Sequence, residues 1–270
     1  MNKRLNIMYF SATDTTKKVV FGIAEGMLEN FKRISDNIDF TLPDAREKSV
    51  SFTAADIVIV GIPVYAGRVP NVLLNYLNGI DGNGAWAIPV VVYGNRNYDD
   101  ALIELRDILQ SRGFTTIAGA AFIGEHSFSN TLAQNRPDEK DMAIARAFGS
   151  QIYKKIVSGV QIDNIYVKGN KPYKDYYRPK DEAGNPVDIR KVKPKTNHLC
   201  TNCKLCASLC PMGSIDDKDV YDVKRICIKC GACIKKCPSH AKYYDNVEYL
   251  RHKHELEVEF CHRREPEIFI

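Results

Sequence analysis

Residues 200–211 read CTNCKLCASLCP, and residues 227–238 read CIKCGACIKKCP. Both stretches follow one pattern, C-x2-C-x2-C-x3-C-P, and the second begins 27 residues after the first. Three cysteines at this spacing can hold three irons of one iron–sulfur cube, whose fourth ligand then comes from elsewhere in the chain. The repeat therefore predicts a small domain folded around two [4Fe–4S] clusters.

In such repeats the fourth cysteine of each run binds the other cluster. The expected ligands are Cys200, Cys203, Cys206 and Cys237 for cluster I, and Cys227, Cys230, Cys233 and Cys210 for cluster II. The alternative is a structural zinc site, because paired C-x2-C units also hold zinc. Zinc needs four ligands, and it does not account for a third evenly spaced cysteine followed by a proline in both runs.

Composition favours a globular protein with two domains. The 270 residues are 44% hydrophobic and 26% charged, and the net charge of +5 makes no electrostatic case for nucleic-acid binding. The apolar run at 57–64 is too short to span a membrane, and the first residues lack the pattern of an export signal. We therefore expect a cytoplasmic protein, in which clustered thiols bind metal and Cys261, outside the repeat, is an ordinary thiol.

Residues 1–160 alternate strand and helix patterns. Strands are expected at 5–10, 56–60, 90–93 and 115–123. The strand at 90–93 is expected to start only after Pro89, because proline has no N–H to donate to a neighbouring strand. Apolar stripes from Val19 to Phe31, Leu102 to Leu109 and Ile144 to Ile156 predict helices, with Gly113 ending the second. Such alternation predicts a five-stranded parallel α/β sheet with ligands at the carboxyl ends of its strands.

Residues 161–196 interrupt this pattern with several prolines and glycines. Between Lys168 and Lys195 lie nine basic and four acidic side chains. A solvated connector and a docking surface for an acidic partner are both compatible with this composition. The 197–245 segment then holds the cysteines, and 246–270 forms a tail of mixed charge without a clear pattern.

The first strand leads directly into Ser11-Ala12-Thr13-Asp14-Thr15-Thr16. Hydroxyls and backbone N–H groups at a helix N-terminus form a cradle for an anion, strengthened by the helix dipole. The same residues are also common in a capped helix that binds nothing. The loop alone leaves both interpretations open.

This loop resembles the phosphate loop of flavodoxins, which binds FMN, although Asp14 stands where the family pattern has glycine. The 197–245 segment resembles bacterial dicluster ferredoxins. The whole chain resembles the flavodoxin–ferredoxin fusion proteins of anaerobic bacteria, also called EFR-type ferredoxins. The resemblance implies strand order 2-1-3-4-5, a small α+β ferredoxin domain, and two loops that enclose the flavin ring. These loops contain Pro63, Val64, Tyr65, Ala66, Gly67 and Arg68, and Gly94, Asn95, Arg96, Tyr98 and Asp99.

Within these loops, Tyr65 and Tyr98 are the candidates to stack on the ring. Arg68 and Arg96 are candidates to stabilise negative charge on reduced flavin. His126, after the fifth strand, is a candidate proton donor.

Three functions are compatible with these features. The first is electron transfer between a redox protein partner, the clusters and FMN, linking one-electron and two-electron chemistry. The second is an FMN-dependent reductase of an unknown small molecule, with His126, Tyr65 or Tyr98 as proton donor. In the third, Asp14 prevents FMN binding and the first domain only docks a partner.

Overall fold

The computed structural model describes residues 3–28 and 34–270. The first domain is built on a parallel sheet with strands β1 (Arg4–Tyr9), β2 (Ile34–Asp39), β3 (Asp56–Pro63) and β4 (Trp86–Tyr93), followed by a fifth in two pieces, β5 (Thr115–Thr116) and β6 (Gly119–Ile123). The order β2-β1-β3-β4-β6, with β5 beside β4, confirms the predicted order 2-1-3-4-5 of a flavodoxin-like sheet.

Helices cover both faces of this sheet, as the apolar patterns predict. They are α1 (Thr15–Leu28), α2 (Leu74–Leu77, preceded by a 3-10 turn), α3 (Ala101–Ser111) and α4 (Glu139–Val157). Gly26 and Gly149 allow α1 and α4 to cross closely, because a Cβ on Gly149 would lie 2.0 Å from the Ile23 carbonyl oxygen. Gly113 takes a left-handed φ of +82° after α3, as expected of a helix end. Phe31, predicted to extend the α1 stripe, lies outside the described residues.

The predicted start of β4 at Val90 is wrong, because the strand runs through Pro89. The Ala87 carbonyl accepts a hydrogen bond from Ile117 N, so the backbone polar groups of Ala87 face the fifth strand. Because this direction alternates along a strand, the backbone of Pro89 faces the fifth strand too. The fifth strand is interrupted between β5 and β6, and its register against β4 shifts there from Ala87↔Thr116 to Val90↔Ala120. The missing N–H of Pro89 therefore faces an irregular part of the ladder.

The segment between the domains packs partly against the first domain. Val167 is fully buried in the same apolar core as α3, and Ile165 N donates to the Thr116 carbonyl. The buried Asp100 carboxylate accepts hydrogen bonds from the backbone of Asn170 and Lys174 at 2.8 and 2.7 Å. The part of the segment from Ile165 to Lys174 is thus fixed on the first domain, whereas most residues from 178 to 193 are exposed.

The cysteine region folds as a small α+β unit, as predicted. Its elements are β7 (Lys195–Thr196), α5 (Leu205–Ser208), α6 (Ala232–Lys235) and β8 (Lys242–Tyr243), and β7 pairs with β8 in an antiparallel ladder. The α5 and α6 turns occupy corresponding places in the two runs of cysteines. The sequence repeat is therefore also a repeat of structure.

The C-terminal residues return to the first domain, which their sequence pattern did not indicate. They form α7 (Val247–Glu259) and β9 (Glu267–Phe269), and β9 pairs antiparallel with β6 at the edge of the main sheet. The second domain is thereby held between two segments that pack on the first. Among the described residues, no helix is both long and apolar enough to cross a lipid bilayer.

Candidate redox site

Four cysteines from both runs surround one apolar cavity. Cys210 from the first run meets Cys227, Cys230 and Cys233 of the second, with apolar walls that include Ile215 and Val223. This is the set expected for cluster II. Burial raises the pKa of the Cys230 thiol to about 12. Buried thiols of this kind ionise only when a bound cation compensates their charge, and the irons of a cluster would supply that compensation.

The cluster I cysteines occupy a more open position. Cys203 is exposed, and Cys200, Cys206 and Cys237 are partly buried. Burial raises the pKa of Cys206, and the neighbouring Cys200 contributes in the same direction. Across residues 3–28 and 34–270, no three His, Cys, Asp or Glu side chains converge as the ligands of one ion do.

The backbone around the two runs repeats its conformation at the same offset of 27 residues. Left-handed φ angles occur at Asn202 and Lys229, at Lys204 and Gly231, and at Gly213 and His240. Such turns direct backbone N–H groups inward and form concavities that favour anions. Two of these N–H groups point at sulfurs at 3.4 Å, Asn202 N to Cys200 and Lys229 N to Cys227. The repeat therefore provides equivalent hydrogen bonds to both predicted clusters.

The cysteines predicted to bind cluster II lie on the side that faces the first domain. Ile228 and Cys230 pack against the apolar core beneath α3, and Ala232 belongs to that core. Gly231 touches Ser127, where a Cβ would come within 2.5 Å of the carbonyl oxygen. Burial first, and then the neighbouring Cys230 and Cys227, raise the pKa of Tyr65 well above its ordinary value. The loop that follows β3 therefore meets the cysteines of cluster II.

Aromatic side chains extend from the cluster II cysteines, through Tyr249 of α7, to His126. The Tyr244 hydroxyl lies 3.5 Å from the Cys227 sulfur. Ring centroids are 4.3 Å apart for Tyr244 and Tyr249, 4.7 Å for Tyr249 and Phe128, and 5.1 Å for Phe128 and His126. These contacts were not predicted, because they join residues far apart in the chain. The pair Tyr243-Tyr244, six residues after Cys237, is the local sequence signal that could have indicated them.

The loop at 11–16 is held by hydrogen bonds between Ser11 and residues outside the loop. Ser11 N donates to Thr41 Oγ1 at 2.8 Å, and Ser11 Oγ accepts from Lys17 N at 3.0 Å. Thr16 is buried, whereas Thr13 and Thr15 are partly exposed. Asp14 adopts a left-handed φ of 64°, the conformation for which the flavodoxin pattern uses glycine. Its carboxylate lies 2.7 Å from Nζ of Lys236, in the second domain.

The first predicted flavin loop is held by the segment between the domains. Tyr65 and Arg68 exchange backbone hydrogen bonds of 3.1 Å, and Ala66 O accepts from Tyr177 N. The Arg68 guanidinium binds both oxygens of Glu104 at 2.7 Å and lies over the rings of Tyr173 and Tyr176. Arg68 is therefore committed to a protein carboxylate.

The second predicted flavin loop, residues 94–99, contacts β9 and the segment between the domains. The Tyr98 hydroxyl donates to Glu267 of β9 at 3.1 Å, and the Tyr98 ring is 5% exposed. Arg96 pairs with Asp99 and lies over the ring of Tyr177. A Cβ on Gly67 would lie 2.3 Å from an Asp99 oxygen, so the two loops touch. Tyr98 is thus packed in the core, and Tyr65 is the stacking candidate that meets the second domain.

Asn95, in this second loop, has a side-chain oxygen that accepts no hydrogen bond from the described residues. Its side chain is 2% exposed, and its amide nitrogen donates to the carbonyls of Phe260 and His262 at 2.6 and 2.8 Å. Its oxygen Oδ1 is buried without a hydrogen-bond partner among the described residues. A buried acceptor of this kind fits a ligand that presents an N–H group, as the isoalloxazine ring of FMN does.

His126 lies beneath this loop, with its ring against Gly94 and Phe128. A Cβ on Gly94 would come within 2.4 Å of its ring, and Phe128 N donates to its Nδ1 at 3.1 Å. Burial lowers the pKa of His126 to about 3. At neutral pH the ring is therefore uncharged, and it has no acidic proton to release to a flavin or a substrate.

Residues 199–242 match the family of 4Fe-4S dicluster domains. This segment of the chain is a 4Fe-4S dicluster domain. Among solved structures, the chain is similar to a flavodoxin from the domain Archaea, with 16% identity, a TM-score of 0.41, and coverage of 57% of this chain and 98% of that one. It is also similar to oxidised flavodoxin 2 from Bacillus cereus, with 18% identity, a TM-score of 0.40, and coverage of 56% and 99%. No curated protein matches the chain.

Proposed function

We propose that the chain transfers electrons between a redox protein partner, two [4Fe–4S] clusters and one FMN. The dicluster domain and the flavodoxin-like sheet support a redox role. The observation that carries the proposal is the packing of Cys230 and Ile228 against the first domain, beside the loop of Tyr65. When bound, the clusters would supply single electrons and FMN would accept one or two.

The strand order favours FMN at this edge. In a sheet of order 2-1-3-4-5, the chain reverses its winding between β1 and β3, and flavodoxin-type sheets bind FMN at that point. The loops after β1 and β3 are those of Ser11–Thr16 and Pro63–Arg68. Ser11, Thr13, Thr15 and Thr16 would hold the phosphate with hydroxyl and backbone N–H groups, Tyr65 would contact the ring, and Asn95 Oδ1 would accept a ring N–H.

The difference in exposure gives the two cluster sites different roles. Cys203 is exposed, so the cluster I site is the one a protein partner can approach. Cys233 is 9% exposed and Cys230 packs on the first domain, so the cluster II site faces inward. A partner would therefore dock beside Cys203, with the cluster II cysteines between it and the flavin loops.

Electron transfer is better supported than reduction of a small molecule. A reductase needs a proton donor at the flavin. His126 is uncharged, and Tyr98 is hydrogen-bonded to Glu267 in the core. Burial raises the pKa of Tyr65. These surroundings suit residues that position a cofactor better than residues that release protons.

Cofactor content of the anaerobically purified chain tests the proposal. We expect about eight irons, about eight sulfides and one FMN per chain. Cys203→Ser and Cys230→Ser should each reduce iron to about four per chain. Cys261→Ser is the matched control and should leave iron unchanged, because Cys261 is exposed and outside the repeat. Zinc in place of iron, or a loss of iron in the control, would contradict the assignment.

A further inference from the structure

We propose that Lys236 of the dicluster domain belongs to the phosphate site for FMN, so that both domains bind the cofactor. This inference rests on the proposed FMN function. Its starting point is the contact between Lys236 Nζ and Asp14 Oδ2 at 2.7 Å. The two residues are more than 220 positions apart, and Asp14 lies in the middle of the phosphate loop.

The phosphate loop itself offers no basic side chain. Residues 11–16 provide hydroxyls and backbone N–H groups, and Asp14 adds a negative charge to the loop that would hold the phosphate. An unpaired carboxylate there would repel the anion. Lys18, the second residue after the loop, donates to the Pro137 carbonyl at 2.8 Å. Lys236 is therefore the cation that the fold brings onto the loop from another domain.

The surroundings of Lys236 show that this contact is part of a built interface. The neighbouring Lys235 binds the Glu125 carboxylate and donates to the Ser129 carbonyl at 2.7 Å. Gly231, directly before α6, packs against Ser127. These contacts fix α6 on the first domain without Lys236. The Lys236 ammonium can therefore act on the loop while its backbone stays in place.

The pairing also accounts for the aspartate in the loop. Asp14 holds Lys236 beside the α1 N-terminus, and Lys236 cancels the charge of the carboxylate that would otherwise oppose phosphate binding. With Lys236 removed, the loop keeps its hydroxyls but exposes the phosphate to the Asp14 charge. We therefore expect the loss of Lys236 to lower the affinity for the phosphate group and to leave the affinity for the flavin ring unchanged.

The test compares FMN with riboflavin, which has the same ring without the phosphate. Both are titrated into the full, cluster-loaded chain under anaerobic conditions, with quenching of flavin fluorescence as the readout. In Lys236→Gln we expect FMN to bind about five- to tenfold more weakly, the range of one charge-assisted contact, and riboflavin to bind as in the wild type. Lys236→Arg should keep most of the FMN affinity.

Lys235→Gln is the matched control, because it removes a neighbouring lysine of the same interface. It should not change the ratio of FMN affinity to riboflavin affinity. An equal loss for both flavins in Lys236→Gln would make Lys236 a docking residue only, and unchanged FMN affinity would also overturn the inference. A wild-type chain that binds neither flavin would instead refute the FMN part of the proposed function. Iron content and circular dichroism verify that each variant is folded.

Discussion

The hydroxyl of Tyr244 lies 3.5 Å from the sulfur of Cys227, and both residues line the cavity of the cluster II cysteines. Burial, and then Cys227, raise the pKa of Tyr244 far above its ordinary value. Tyr244 therefore keeps its proton, and its hydroxyl would donate a hydrogen bond to the Cys227 sulfur once that sulfur is bound to iron. Hydrogen bonds to cluster sulfurs stabilise the reduced, more negative state and so raise the reduction potential.

Tyr244→Phe should therefore lower the potential of one cluster. The expected change is about 20–60 mV, equivalent to one hydrogen bond in a one-electron reaction. An anaerobic redox titration followed by electron paramagnetic resonance measures it. Tyr243→Phe is the control, since Tyr243 is the adjacent tyrosine and is 38% exposed. A shift of the same size in both variants would show that Cys227 does not receive this hydrogen bond.

The two clusters should differ in their resistance to air. Cys203 is exposed and Cys233 is buried, so oxygen and chelators reach the cluster I site first. We expect iron release in two phases of about four irons each, measured with a chromogenic chelator after exposure to air. The Cys203→Ser variant should lack the fast phase and keep the slow one. Release in a single phase in the wild type would argue against the difference in exposure.

The pattern of local sequence predicted much of this architecture. The alternation of strands and helices and the repeat of the cysteine turns depend on signals within short segments, such as the spacing of Cys227, Cys230 and Cys233, whereas the strand order came from the resemblance to flavodoxins. Contacts between distant segments could not be predicted in this way. Nothing near Asp14 in the sequence indicates Lys236, and the mixed charges after 246 conceal α7 and β9 because these elements bury only one face. Pro89 misled the prediction, since its effect depends on which neighbouring strand it faces.

The stability of the protein should fall in mild acid because of His126. Burial lowers its pKa to about 3, and the neighbouring His252, Lys235 and Arg96 contribute in the same direction, whereas Glu257 opposes them. The unfolded chain takes up a proton on this histidine near pH 6.5, but the folded chain does not. The free energy of unfolding is therefore unaffected by His126 above pH 6.5. It falls progressively as the pH drops from 6.5 toward 3, because only the unfolded chain binds the proton.

At pH 5 the loss from His126 should be about 2 kcal/mol in the free energy of unfolding. Urea unfolding followed by circular dichroism between pH 5 and 7.5 measures it, with His126→Gln expected to flatten the dependence. His254→Gln is the control, because His254 is exposed on α7. An unchanged pH dependence in His126→Gln would contradict an uncharged His126 in the folded state.

The segment between the domains should detach when Asp100 is replaced. Asp100 is fully buried, and its carboxylate accepts hydrogen bonds from Asn170 N, Asn170 Nδ2 and Lys174 N at 2.7–2.8 Å. These bonds lower its pKa, although burial opposes them. Asp100→Ala leaves three donors without their acceptor, which should destabilise the chain by about 2–4 kcal/mol.

Limited proteolysis distinguishes local release of this segment from global unfolding. In Asp100→Ala we expect new cleavage between residues 168 and 180, a range with five lysines and arginines, while the parallel sheet stays protected. Asp175→Ala, which removes an exposed carboxylate of the same segment, should change the free energy of unfolding by less than about 0.5 kcal/mol. Equal cleavage in both variants would mean that Asp100 does not anchor the segment. Cleavage confined to Asp100→Ala, with loss of FMN, would show that the anchored segment also holds the loop of Tyr65 and Arg68 in place for the flavin.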